Sequence, residues 1–250
     1  METRLTSAGR SEAGRRKGNE DSYCAEPDLG LFAVADGVGG YEGGEVASQL
    51  AIDTLLGFFR RNRADPEATW PWKLDPKRSF AENLLSVGTR LADSAISQRK
   101  EGRLAGMGST LAGLVVRGGR AAIGHLGDSR IYRLRGGVLS PLTRDHSLWQ
   151  EMADSGNADY KTRTDCPWGN VITRALGLKG DGVPELKEVE VLRGDVFLLC
   201  SDGISEPVPE QVLGRILAES EPEEACRRLI DEALSRGSKD NVTAVVVRVD

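Results

Sequence analysis

The sequence predicts an α+β domain built in layers, and three observations carry that reading. Helical stripes come in two pairs, one in the first half of the chain and one near its end. Short apolar strands run together between the pairs and close the chain, without the regular strand–helix alternation of a doubly wound fold. Two strands, "VFLLC" and "TAVVVRV", are apolar on nearly all positions, which suits strands covered on both faces.

The first strand signal is "GLFAVAD" (30–36), an aliphatic run stopped by Asp36 and a glycine cluster. A helix follows over 44–60, where Val46, Ala47, Leu50, Ala51, Thr54, Leu55, Phe58 and Phe59 recur at helical spacing. The stretch 62–79, "NRADPEATWPWKLDPKRS", reads as a long ordered connection with Trp70 and Trp72 as packing anchors. The second helix, 79–100, carries Phe80, Leu84, Val87, Leu91 and Ala95 on one face. It opens on Ser79 and Glu82, a capping box in which each side chain satisfies the other's free amide. "STLAGLVV" (109–116) and "RAAIGHLGDSRIYRL" (120–134) are further strands. Residues 151–170 are polar and aperiodic, a surface loop beside a site. After "DVFLLCSD" come a weaker helix at 209–218 and a third stripe of Ala225, Cys226, Leu229, Ile230, Ala233 and Leu234. That stripe opens on "SEPE", read as a second capping box, and "NVTAVVVRV" (241–249) is the final strand.

With 39% hydrophobic and 28% charged residues, the chain has material for a sizeable core, and residues 1–250 read as one domain. A net charge of −5 argues against a nucleic-acid or membrane-surface partner, both of which call for a basic footprint. No apolar stretch approaches the roughly 20 residues of a membrane span, and the amino terminus has no signal-like apolar region. Cys24, Cys166, Cys200 and Cys226 stand apart, without the close pairs of a zinc site. The expectation is a reduced, cytoplasmic, monomeric protein.

The chemistry lies in the carboxylates. Asp36 in "FAVADG", Asp128 in "HLGDS" and Asp202 in "LLCSDG" each end an apolar run before a small residue, and Asp240 in "SKDNV" precedes the last strand. A single Asp-Gly is an ordinary turn. Several such carboxylates at neighbouring strand ends, with Glu20 and Asp21, would repel one another unless cations sat between them. All-oxygen donors suit magnesium or manganese, and no His/Cys set competes. Metals shared by carboxylates point to two-ion hydrolysis of a phosphate ester, with Arg15 or Arg16 in "GRRKGNED" close enough to bind the phosphate.

"GRRKGNED", "VADGVGG", "GSTL", "GHLGDSRIY", "LTRDHS", "VITRALG", "LLCSDG" and "KDNVTAVVV" occur in the order found in the PP2C (PPM) metal-dependent protein serine/threonine phosphatases. The chain resembles the bacterial branch over residues 10 to 249. The resemblance implies a four-layer α-β-β-α sandwich, two antiparallel β-sheets flanked by helices, and direct attack by a hydroxide held between two Mn²⁺ or Mg²⁺ ions. It implies that Asp36 bridges both ions, Gly37 lends its carbonyl, Glu20 serves one ion, and Asp202 and Asp240 serve the other. Asp128 would join Asp202 at a third, looser ion; Asp21 and Asn241 would orient ligands; Arg16 would bind the phosphate. The implied partners are phosphorylated proteins, a Ser/Thr kinase and its substrates. A phosphoprotein-binding pseudophosphatase and a two-ion phosphodiesterase are the rival classes. The complete set Glu20, Asp36, Asp202 and Asp240 speaks against the first, and the acidic balance against the second.

The departures are local. Animal-type members carry histidine where this chain has Val38, so the proton donor to the leaving alkoxide is unassigned. His125 and His146 are read as packed or hydrogen-bonded residues, with His125 out of phase with Asp128 along one strand. The loop 151–170 corresponds to the family's flap, but has Cys166 before the proline where relatives carry histidine. Its Tyr160, Lys161, Arg163 and Trp168 either grip a phosphopeptide or are anchors of an ordinary surface loop. Arg130 and Arg174 are read as braces, and Cys200 as a buried thiol.

Overall fold

A computed structural model describes residues 4–39, 43–156, 160–178 and 182–250. Gly40 of the predicted "VADGVGG" and residues 157–159 of the predicted flap lie outside them. Two antiparallel sheets stack face to face. Numbered along the chain, one runs β1 (Leu5–Glu12), β11 (Val242–Val249), β10 (Val196–Cys200), β7 (Arg130–Arg135), β8 (Val138–Pro141). The other runs β2 (Asp21–Glu26), β3 (Leu31–Val38), β5 (Leu111–Arg117), β6 (Arg120–Leu126), β9 (Glu185–Glu190), with β4 (Gly108–Ser109) paired to the end of β3. Helices α1 (Gly43–Ala64) and α2 (Phe80–Gln98) cover the second sheet; α5 (Glu210–Glu219) and α6 (Pro222–Ser235) cover the first. Two short helices, α3 (Leu148–Asp154) and α4 (Asp202–Ser205), lie in the connections.

The period of two along each strand feeds two interfaces at once. In β3, Leu31, Ala33 and Ala35 pack under α1 and α2 with Leu55, Phe58 and Leu85, while Phe32 and Val34 face Phe197, Leu199 and Val245 between the sheets. In β10, Leu198 and Cys200 turn instead to Leu217, Leu229 and Ile230 on the far helices. Both faces of the central strands are therefore dry, which is why their sequences read as unbroken apolar runs. Trp70 and Trp72 act as the expected anchors: Trp70 meets Phe58 edge-on at 5.3 Å, and Trp72 carries the Arg90 guanidinium 4.5 Å above its ring.

The structure corrects three expectations. "RAAIGHLGDSRIYRL" is two strands in different sheets, because Gly127 adopts φ +99° and turns the chain across the sandwich at Asp128. The capping box at Ser79 and Glu82 forms, with contacts of 3.1 and 2.9 Å. The one read in "SEPE" does not: Pro222 takes the first helical position, Glu221 becomes the cap without a side-chain bond, and Ser220 Oγ accepts from Arg228 instead. The loop expected from 151 begins with a helical turn, since α3 starts on the Ser147 cap and runs to Asp154.

Candidate metal centre and active site

At one end of the sandwich the inter-sheet rows of side chains change from apolar to acidic. Asp21 of β2 lies in register opposite Asp36 of β3, two residues beyond Val34 on the same face. The end of β3 is pinned from both sides: the Asp36 amide donates to Thr110 Oγ1 at 2.9 Å, and its carbonyl accepts from the Thr110 amide and the Ser109 hydroxyl. Thr110 Oγ1 in turn shares a proton with Ser129 Oγ at 2.7 Å, which ties β3 to the crossover that carries Asp128. Asp202 opens α4 directly after β10, and Asp240 precedes β11. Both sheets thus deliver carboxylates to one place.

Buried Asp21 accepts the hydroxyls of Ser201 at 2.8 Å and Thr243 at 2.6 Å, joining β2 to the residue that links β10 and α4 and to β11 across the sandwich. Burial pushes its carboxyl up to about 6, against the pull of those two hydroxyls. Asn241, also buried, accepts the Glu20 amide on Oδ1 at 2.8 Å. Its Nδ2 donates to the carbonyls of Ala13 and Gly18, closing the loop that carries Arg16 and Glu20. Gly37 cannot be larger: a Cβ there would lie 2.0 Å from the Gly44 carbonyl oxygen, where α1 begins. A Cβ on Gly44 would fall 2.7–2.9 Å from the Glu20 carboxylate. The two glycines let the helix start come close enough to hold Glu20 against β3.

The electrostatics is that of a site short of positive charge. Burial raises Asp36 well above the usual carboxylate range, and the charges of Asp21, Asp202, Asp128 and Asp240 raise it further. Asp202 is raised in the same way by burial, Asp128 and Glu206, with Arg163 pulling it back. Glu20 is raised by burial and lowered by Arg16. Asp202 Oδ1 is buried with no hydrogen-bond donor. A donor set made wholly of oxygens, mutually repelling and with an orphaned carboxylate atom, fits divalent magnesium or manganese.

A family model, protein phosphatase 2C, matches residues 8–247. The chain belongs to this family. It is 39% identical over 249 residues to the serine/threonine protein phosphatase PstP of Mycobacterium tuberculosis, covering 98% of this chain and 45% of that protein. It therefore spans about half the length of that curated relative. The serine/threonine phosphatase stp of Listeria monocytogenes is 31% identical over 250 residues, covering 96% of this chain and 94% of that protein. A crystal structure of the PstP phosphatase superposes with a TM-score of 0.85 at 37% identity over 98% of this chain and 99% of that one. The PstP catalytic domain in complex with two manganese ions gives 0.83 at 36% identity, over the whole of both chains.

Within this protein phosphatase 2C frame, Arg16 stands at the rim. Its Nη2 donates to Asp240 Oδ2 at 2.8 Å and its Nε to the Lys239 carbonyl, and its side chain is 56% exposed. Asp240 Oδ1 takes the Asn241 amide at 2.9 Å. Arg130 grips Asp145 bidentately at 2.8 and 2.7 Å and reaches Tyr132 as well, the geometry of a brace. Burial raises the Cys200 thiol to about 12, which denies it a nucleophilic role.

Three residues of the site carry no strand-end mark in the sequence that places them there. Arg163, in the flap, is not exposed for a peptide; it is 7% exposed and points into the carboxylates, 2.5 Å from Asp128 and 3.4 Å from Asp202. Asp145, inside the quoted "LTRDHS", holds Arg130 and Arg163 together. Glu206 faces Arg163 at 3.0 Å and sits one helical turn after Asp202, the spacing that could have signalled it. Lys161 and Trp168 remain on the surface, with Trp168 edge-on to Tyr160 at 6.4 Å.

His125, His146 and Glu185 bring ligand atoms within 4.8 Å of one another, yet their hydrogen bonds oppose a metal. His146 Nδ1 accepts the Gly127 amide, so in the neutral ring the proton sits on Nε2, which faces Glu185 at 3.3 Å. The His125 ring stacks on it at 4.4 Å and meets the Arg144 carbonyl through Nε2, while Arg174 Nη1 stands 3.2 Å from the protonated His146 Nε2, a second donor that adds positive charge beside Glu185 and no hydrogen bond to the ring. The three act as a structural bridge from β6 to β9. The alternation that sets His125 against Asp128 stops at Gly127, where the strand turns; these contacts are what hold the His125 ring.

Proposed function

We propose that the protein is a manganese- or magnesium-dependent phosphatase that hydrolyses phosphoserine and phosphothreonine in proteins. The observation that carries this reading is the convergence of strand-end carboxylates from both sheets, with Arg16 at their rim. Glu20, Asp36, Gly37, Asp202 and Asp240 would hold two ions. Two such ions supply Lewis acidity: they lower the pKa of water and offset charge that builds on the phosphoryl group.

The chain's own residues do the rest. Arg16, partly free and already beside Asp240, presents a planar guanidinium that binds two phosphate oxygens at once and fixes the phosphorus over the carboxylates. Asp21 and Asn241 keep the two sheets and the 13–20 loop in register, so that Glu20 and Asp36 hold their separation. Val38 donates no proton and both histidines are engaged elsewhere, so none of the three protonates the departing alkoxide. The substrates would be phosphoproteins, with a Ser/Thr kinase as the opposing activity. The reading takes the protein as a cytoplasmic monomer. Among the described residues no helix is long and apolar enough to cross a membrane.

Phosphate release from a phosphothreonine peptide tests this. Turnover should require Mn²⁺ or Mg²⁺, stop with EDTA, and vanish in Asp36→Ala and Asp202→Ala. Turnover in EDTA would overturn the mechanism, and tight peptide binding without turnover would mark a pseudophosphatase.

A further inference from the structure

A cation is built into the protein at the place where the family resemblance puts a third ion. Arg163 reaches the site from the flap, and its guanidinium meets four carboxylates. Nη2 lies 2.5 Å from Asp128 Oδ2 and 3.4 Å from Asp202 Oδ2, Nη1 lies 3.2 Å from Asp145 Oδ2, and Nε forms an ion pair with Glu206 at 3.0 Å. Asp128 and Asp145 are themselves buried. Buried carboxylates without a partner are costly, and removing one member of such a cluster leaves the rest uncompensated. Among the described residues, Arg163 is the cation that the ion pairs assign to Asp128.

The backbone is shaped to deliver this side chain. Thr162 caps the turn by accepting the Asp165 amide, and the Cys166 amide closes on the Arg163 carbonyl at 3.1 Å. A Cβ on Gly169 would fall 2.1 Å from that same carbonyl, so the segment folds back tightly on the arginine. On the other side, Asp145 is held by the two-point grip of Arg130. The guanidinium thus docks between fixed walls. A divalent ion with its water shell and a guanidinium cannot share the same oxygens of Asp128 and Asp202.

We propose that Arg163 is the resident third cation of the centre: it fills the place between Asp128 and Asp202, so the protein binds two divalent ions and not three, and it anchors the flap to the carboxylates. This rests on the two-ion reading above. Arg163 is a positioning residue, acting through Asp202, whose Oδ2 it engages while Oδ1 stays open to an ion. On this proposal the Asp128 carboxylate serves Arg163 in place of an ion.

Calorimetric titration with Mn²⁺, with bound metal counted after gel filtration, tests the proposal without measuring turnover. Wild type should bind two ions, and Asp128→Asn should still bind two. Arg163→Ala should bind three, and Arg163→Ala/Asp128→Asn should return to two. Hydrogen exchange over 160–170 should quicken in Arg163→Ala. Three ions in wild type, dropping to two in Asp128→Asn, would overturn the proposal even if Arg163→Ala failed to fold. A folded Arg163→Ala that binds two would overturn it as well. A wild-type count of zero would overturn the two-ion reading itself and this inference with it, a result distinct from a count of three.

Discussion

Asn241→Ala removes a side chain that touches neither phosphate nor, in this account, an ion, and yet should weaken both fold and centre. The amide makes three hydrogen bonds of 2.8–3.0 Å, to the Glu20 amide and to the carbonyls of Ala13 and Gly18, in a position only 4% exposed. At roughly 1 kcal/mol net for each, the loss is about 3 kcal/mol. For a domain of this size that lowers the melting temperature by about 6–12 °C. The loop it frees carries Arg16 and Glu20, so the Mn²⁺ concentration for half-maximal turnover should rise by at least tenfold, and Asn241→Asp, which sets a buried carboxylate oxygen against the Ala13 and Gly18 carbonyls, should do no better. Thermal melts in EDTA and activity titrations with Mn²⁺ read the two effects separately. A variant that melts within about 1 °C of wild type and has an unchanged metal requirement would refute the view that Asn241 organises the loop.

Three other outcomes follow from the same geometry. Gly37→Ala sets a Cβ 2.0 Å from a backbone oxygen that cannot yield, so soluble yield or the urea midpoint should fall severely, by about 3 kcal/mol or more. Cys24, Cys200 and Cys226 are buried, with thiols pushed up by burial to about 12; iodoacetamide at pH 8 should label them, by mass spectrometry, only after unfolding. For Asp195, burial alone would raise the carboxyl, but the bidentate Arg135 guanidinium and the Leu192 amide hold it below its ordinary value. A depressed folded value means stability that is fully present above the ordinary carboxylate range and is lost as pH falls from there through the folded value. Asp195→Asn should therefore lose urea resistance at pH 7, with a deficit that shrinks steadily as pH falls below the ordinary carboxylate range, and a deficit that stays constant with pH would refute the assignment.

What the sequence makes legible is set by distance along the chain. Asp36 shares the alternation of Phe32 and Val34, so its place at the end of a buried row can be read from five residues. The Ser79–Glu82 box is equally local, whereas "SEPE" misleads because Pro222 shifts the helix start by one position. β1, β8 and β9 are edge strands with a polar side, and their sequences lack the apolar run that marks β10 or β11. The break at Gly127 hides within a run that keeps its alternation on both sides, and only the switch of sheets reveals it. Arg163 is the least legible: it sits in an aperiodic segment, 35 residues from Asp128 and 39 from Asp202, and its role exists only once the two sheets are stacked.

The central proposal is that the strand-end carboxylates around Asp36 hold a close pair of ions, and electron paramagnetic resonance of the Mn²⁺-loaded protein tests it most directly. Wild type should give the spectrum of a spin-coupled manganese pair. Asp36→Asn, folded by circular dichroism, should give isolated Mn²⁺ or none. A coupled pair that survives Asp36→Asn, or isolated ions in wild type at full loading, would contradict the account.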